Sequence, residues 1–234
     1  MRACSGAARA FLAVPRDDGA VNVTRIIDLS HPIRSGMPVF PGDPEVRLSP
    51  ALTVDPDGVN VLSVQMGSQS GTHVDAPCHV DPAGARLDTL DPGLFFGPGV
   101  IADVTGRAPR TPITWPDLAP VAGSLAAGCI LLVRTGWDAH WGTPAYFDHP
   151  YLTAGATREI INRGVRTIAL DAASIDAHDD ATLAAHHVVA AAGGVIAENL
   201  TRLGSIGFPD PWISLLPMPL SDADGAPVRA VALG

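Results

Sequence analysis

A chain of 234 residues fits one large domain with a sizeable buried core. Its formal net charge of -9, with no long run of basic residues to offset it, disfavours nucleic acid and anionic membrane surfaces as partners, so a small molecule is the expected substrate. The three cysteines, Cys4, Cys78 and Cys129, are scattered and odd in number, which argues against a disulfide framework and for a reducing compartment.

In chain order, residues 1–24 carry Arg2, Arg9 and Arg16 among alanines, without the apolar core of a signal peptide. A mobile extension is expected there, ahead of one domain over 25–234 in a cytoplasmic protein. No stretch is long and apolar enough to span a membrane. Arg25 to Leu29 reads as a short strand. Met37-Pro38-Val39-Phe40-Pro41-Gly42-Asp43-Pro44 has too many prolines for a helix or an inner strand. That stiff loop suits Phe40 to a pocket wall, with a surface loop carrying one packed aromatic as the alternative.

A strand near Asn60 to Gly67 leads into the segment Gln69-Ser70-Gly71-Thr72-His73-Val74-Asp75-Ala76-Pro77-Cys78-His79. Gln69, His73, Asp75 and His79 all occupy odd positions, and an extended chain sends alternate side chains to one face. Pro77 cannot donate to a ladder, so the strand is expected to end near Ala76 and leave His79 on a loop at the pocket mouth. Imidazole nitrogen with carboxylate oxygen suits zinc or manganese, and further ligands must come from elsewhere. An ordinary turn in which Thr72 and Asp75 satisfy backbone groups is the competing reading, and two histidines in phase weigh against it. Cys78, at an even position, points the other way.

Beyond the motif, strands are predicted near Gly99 to Val104 and over Ile130 to Arg134. Thr153 caps a helix to about Arg163, which Gly164 ends, and Thr167 to Leu170 follows as a strand. Its carboxyl end presents Asp171 to Asp176, the place where α/β sheets commonly present functional groups. A second helix over Thr182 to Ala192 leads to a strand Val195 to Ala197 that delivers Glu198. Trp212 to Leu216 and Val228 to Leu233 close the sheet around a turn at Asp222 to Gly225. This alternation predicts an α/β domain. Phe40 and Trp137, with Trp141, Phe147 and Trp212, are candidates to stack a planar substrate, against core packing as the commoner fate. No Gly-x-Ser-x-Gly elbow is present, which weakens a serine or cysteine hydrolase.

The segment resembles the hallmark His-x-Gly-Thr-His-x-Asp-x-Pro-x-His of the putative cyclase family, which includes bacterial kynurenine formamidases, isatin hydrolases and some polyketide cyclases. Gly71, Thr72, His73, Asp75, Pro77 and His79 match in register, and Gln69 stands where the family has its first histidine. The likeness continues through Asp28-Leu29-Ser30, Pro38 to Asp43, Arg134 to Trp137, His149 to Leu152, Leu170 to Asp176, and His186 to Leu200. It implies a single-domain β/β/α fold around a barrel-like mixed sheet with flanking helices, and a homodimer or larger homo-oligomer such as a tetramer.

The resemblance further implies His73, Asp75, His186 and Glu198 as metal ligands, with His187 packed or in a supporting hydrogen bond. In two-metal members the first motif histidine completes one site. Gln69 offers only a neutral carboxamide oxygen there, which favours one ion, zinc or else manganese, over two. His79 then matches the general acid and base of a hydrolase in which metal-activated water attacks an amide or cyclic amide carbonyl of a small-molecule substrate, as in an arylformamidase. A natural-product (polyketide) cyclase with the same metal as Lewis acid, and a binding protein whose catalysis is weakened by Gln69, remain as alternatives.

Overall fold

The most apolar runs of the chain become its central strands. The computed structural model describes residues 23–234, so most of the expected extension, and Cys4 with it, lies outside the described residues. Thirteen strands follow in chain order: β1 (Ile26–Asp28), β2 (Arg47–Leu52), β3 (Val61–Gln65), β4 (His73–Asp75), β5 (Phe96–Asp103), β6 (Pro112–Ile113), β7 (Ile130–Arg134), β8 (Tyr151–Leu152), β9 (Thr167–Leu170), β10 (Val195–Glu198), β11 (Trp212–Ser214), β12 (Gly225–Pro227) and β13 (Val231–Leu233). Two helices matter here, α1 (Ala154–Asn162) and α2 (Ala184–Ala191). Nine strands form one curled sheet in the order β1-β13-β11-β5-β7-β9-β10-β4-β12. The inner pairs β5-β7, β7-β9 and β9-β10 are parallel, and the outer pairs are antiparallel, giving the expected mixed α/β sheet.

Alternation along the central strands explains why both faces are covered. Leu131, Val133, Ile168, Leu170 and Ile196 pack beneath α1 and α2 with Ile160, Ala185 and Val189. Their neighbours Ile130, Leu132, Ala169, Val195 and Ala197 turn to the opposite core with Val74, Ile213 and Ala226. Parallel strands need both faces buried. Each buried Leu or Ile contributes about 1.5–3 kcal/mol, so these two cores hold the sheet, with the short helices docked on one of them.

Helix boundaries follow from local hydrogen bonds. Thr153 Oγ1 accepts from the Ala156 N–H at 3.2 Å and Gly164, at φ 91°, ends α1, as the sequence predicts. The second helix begins later than expected, because the Asp180 carboxylate captures the Thr182 N–H at 2.9 Å in a turn. Asp176 then caps α2 from a distance, accepting from Ala185 N–H at 2.7 Å and His186 N–H at 3.0 Å.

The structure adds three features to the expected elements. The strand near Asn60 to Gly67 does not join the main sheet; β3 pairs with an unforeseen β2 in a two-stranded ribbon. The turn at Asp222 to Gly225 ends in a further strand, β12, which pairs with β4. Thr24, placed with the extension in the sequence, donates from its N–H to the Gly234 carbonyl at 2.8 Å.

Candidate active site

β4 carries His73 and Asp75 on one face and sends Val74, fully buried, into the core behind. Opposite it, β10 ends on Glu198, and the antiparallel register pairs Glu198 with His73 and Ile196 with Asp75. His186 arrives from the first turn of α2. These four side chains are buried together: His73 Nε2 lies 3.5 Å from Asp75 Oδ1 and 3.7 Å from Glu198 Oε2, and His186 Nε2 lies 3.5 Å from Glu198 Oε1 and 4.0 Å from Asp75 Oδ2.

Both imidazoles are oriented through their other nitrogen. His73 Nδ1 donates to the Gly71 carbonyl at 2.8 Å, a contact that relies on the tight turn at Gly71, whose φ is +67°. His186 Nδ1 meets Asp176 Oδ2 at 2.7 Å. Each Nε2 lone pair therefore faces the carboxylates, the arrangement by which outer hydrogen bonds aim metal-binding histidines.

The donor set fits a divalent cation. Both Asp75 oxygens are buried without a hydrogen-bond partner among the described residues, and Glu198 has one such bond, from the Ile175 N–H at 2.8 Å. Burial, then the neighbouring Asp75, pushes the Glu198 carboxyl well above the usual carboxylate range. Two buried carboxylates side by side are costly unless a cation compensates them. Two neutral imidazoles and two carboxylates are the hard-to-borderline donors that zinc and manganese accept.

His79 closes the 3₁₀ turn Pro77–His79 that Pro77 opens, so the strand ends at Asp75, one residue before the expected point. Its ring stands beside His186 at a centroid distance of 5.9 Å, and its Nδ1 is 3.2 Å from Asp224 Oδ2. Burial alone would push this imidazole down. The carboxylates of Asp75, Asp224 and Asp43 outweigh it and hold the pKa above the ordinary histidine value.

Gln69, expected among the ligands, is hydrogen-bonded elsewhere. Its Nε2 donates to Asp224 Oδ2 at 3.1 Å and lies 3.3 Å from His79 Nδ1, and its Oε1 is 2.7 Å from the Ser68 hydroxyl. The motif thus brings His73, Asp75 and His79 together at one site and gives Gln69 to the His79 side of it.

A cleft of about 140 Å³ opens over these groups, walled by Phe40, Trp141, Tyr146 and Phe147, with Asp43 and Leu183 at its side. Phe40 is on this wall. Trp137 is not: it is buried in the core and its indole N–H donates to the Ala145 carbonyl at 3.1 Å. Trp141, four residues on, takes the wall position, with His31 stacked on it at 3.9 Å and 8°. His187 is exposed rather than packed, because adjacent helix positions face different directions.

Three supporting residues escaped the sequence reading. Asp176 lies in the strand-end segment that was singled out, and its pairing with His186 had no local signal. Asn199, held at φ 57°, donates to the Gly71 carbonyl at 3.0 Å and accepts from the Tyr146 hydroxyl at 2.8 Å. Asp224 sits in a stretch that reads as an ordinary turn.

Comparison with known proteins places the chain among relatives in sequence and fold. The family model "Putative cyclase" matches residues 27–177. A kynurenine formamidase of Paracidovorax citrulli (strain AAC00-1) is 34% identical, over 87% of this chain and 94% of its own length. One from Bacillus thuringiensis (strain Al Hakam) is 35% identical, over 88% and 95%. Among solved structures, isatin hydrolase A from Labrenzia aggregata, bound to benzyl benzoate, superposes with a TM-score of 0.82 at 23% identity, over 89% of this chain and 93% of that one. A potential metal-dependent hydrolase with cyclase activity gives a TM-score of 0.73 at 25% identity, over 89% and 97%. Motif, sheet and relatives agree, and the chain belongs to the putative cyclase family.

Proposed function

We propose that this protein hydrolyses the amide C–N bond of a small aryl formamide or cyclic amide, with one divalent ion held by His73, Asp75, His186 and Glu198 and with His79 as general acid and base. The observation that carries this is the bare Asp75 carboxylate, buried between two imidazoles whose lone pairs face it, with His79 alongside. The relatives named kynurenine formamidase support the formamide.

When bound, the ion lowers the pKa of a water and polarises a carbonyl oxygen. The protein supplies the remaining steps. The aromatic wall holds the ring: a cavity of about 150 Å³ takes up benzene, so the cleft of about 140 Å³ is of the size of a single aromatic ring. His79 takes a proton from the attacking water and returns it to the leaving nitrogen, so that one water is consumed and an amine and a carboxylate are released.

Zinc is the proposed ion, because two imidazoles and two carboxylates match its usual donors, with manganese next. A single ion is supported by Gln69, whose carboxamide is engaged by Asp224. The exposed apolar residues of the β2-β3 ribbon, Leu62 and Val64 among them, support a homodimer. No helix among the described residues is long and apolar enough to cross a membrane. Cys78 and Cys129 are free, which supports a cytoplasmic setting.

The test is elemental mass spectrometry on protein purified without chelator, alongside release of aniline from formanilide. About one zinc per chain with turnover is expected. Metal near zero, or metal without turnover of any amide, overturns the hydrolase. Ring closure of a poly-β-ketone surrogate by that same protein would establish the cyclase in its place.

A further inference from the structure

His79 cannot choose its own tautomer, and the chain supplies a group that does. Asp224 Oδ2 receives His79 Nδ1 at 3.2 Å and Gln69 Nε2 at 3.1 Å, while Oδ1 lies 2.8 Å from the Ser68 hydroxyl. Gln69 Nε2 also lies 3.3 Å from His79 Nδ1, but it donates to Oδ2 at the shorter distance; the charged carboxylate can only accept, so it fixes the proton on Nδ1 and leaves Nε2, at the other end of the ring, free to take a proton. The next residue is Gly225, where a Cβ would come within 2.8 Å of Gln69 Nε2 and 2.5 Å of the Val74 carbonyl, so the chain keeps room for the amide.

We propose that Asp224 is the positioning residue for His79, and that Gln69 and Ser68 serve to hold the Asp224 carboxylate. The side chain of Asp224 has no part in the sheet, since its backbone carbonyl makes the contact with the Ala76 N–H at 2.8 Å. Replacing that side chain therefore leaves the β4-β12 edge intact. The role of His79 rests on the hydrolase reading; its tautomer does not.

The experiment has two independent arms. Long-range ¹H–¹⁵N spectra of labelled protein, in alkaline buffer where the ring is neutral, report the tautomer, with His79 identified by its loss in His79→Gln. The Nδ1–H form is expected in the native protein and the Nε2–H form in Asp224→Asn, whose amide can donate to Nδ1. In the second arm Asp224→Asn and Asp224→Ala lower kcat on formanilide by about 10- to 100-fold, with KM within about twofold and metal content unchanged. An unchanged tautomer in Asp224→Asn, or an unchanged kcat, overturns the positioning role. If the native protein turns over no amide, the hydrolase reading falls and the spectra alone decide on Asp224.

A second inference comes from the charge of the cleft. The carboxylates of Asp75 and Glu198 formally cancel a divalent ion, and Asp224 is paired with His79. Asp43 is left: it lines the cleft, and its carboxylate accepts no hydrogen bond among the described residues. The chain has no lysine, and no arginine among the described residues lines the cleft. From this we infer, on the same hydrolase reading, that the substrate class is neutral or cationic single-ring amides, and that a ring carboxylate is rejected.

Formanilide, 3-(aminomethyl)formanilide and 3-formamidobenzoate separate the cases. The carboxylate is expected to have kcat/KM at least about tenfold below the other two, and Asp43→Asn is expected to narrow that gap. Equal kcat/KM for all three, or a gap that Asp43→Asn leaves unchanged, overturns the charge argument while leaving the hydrolase standing. No turnover of any of the three overturns the hydrolase instead.

Discussion

His73 and Glu198 face each other across the antiparallel pair β4-β10, with Nε2 3.7 Å from Oε2. A cross-strand pair on one face places the two side chains close with no adjustment of the backbone. Asp75, two residues from His73, shares that face and has Gly225 of β12 as its partner on the other side. The cluster proposed to hold the ion is thus a property of sheet register, and α2 adds His186 to it.

Loss of the ion should be felt in stability. Chelated protein is expected to melt below the loaded form, because Asp75 and Glu198 then face each other uncompensated. Chelated Asp75→Asn, with one like charge removed, should melt above chelated native protein by about 2–4 °C for each kcal/mol relieved. Equal melting temperatures in differential scanning calorimetry would show that the two carboxylates do not repel.

His79→Ala should keep its metal and lose turnover by about 10²- to 10⁴-fold. Elemental analysis and the formanilide assay on one preparation give both numbers. Retained turnover, or lost metal, would remove His79 from the acid/base role.

Trp137 and Trp141 should separate stability from binding. Trp137→Ala removes a buried core residue and is expected to cost about 3–5 kcal/mol in urea unfolding. Trp141→Ala, on the cleft wall, should raise KM for formanilide about two- to tenfold, the worth of one aromatic stack. A KM effect from Trp137 and none from Trp141 would reverse the assignment.

His31 should give stability an acid limb. Burial holds its pKa down at about 4, with Asp138 opposing, against 6.5 in the unfolded chain. The unfolded state therefore binds the extra proton between these values, and stability is lost as pH falls from about 6.5 toward 4. His31→Phe keeps a ring against Trp141 and should flatten this part of the profile in guanidinium unfolding at pH 7 and 5. A slope identical to the native one would clear His31.

Much of this was legible locally. Strand period put His73 and Asp75 on one face, Pro77 ended the strand, and Thr153 and Gly164 bounded α1, each a matter of a few neighbouring residues. Strand β2 was not foreseen because Arg47–Leu52 contains Pro50 and shows little alternation of buried and exposed positions. β12 was missed because Gly225-Ala226-Pro227 has the composition of a turn and becomes a strand by pairing with β4.

By itself the sequence determined the chemistry: imidazoles and a carboxylate in phase, an acidic chain suited to a small-molecule substrate, and a motif that identified the family. Tertiary structure decided what each polar group faces. It gave Gln69 to Asp224, Asp176 to His186 and the cleft wall to Trp141 in place of Trp137. Side-chain periodicity is set by bonds within a segment and can be read along it, whereas a hydrogen-bond partner is set by which distant segment packs alongside, and that depends on the register of the whole sheet.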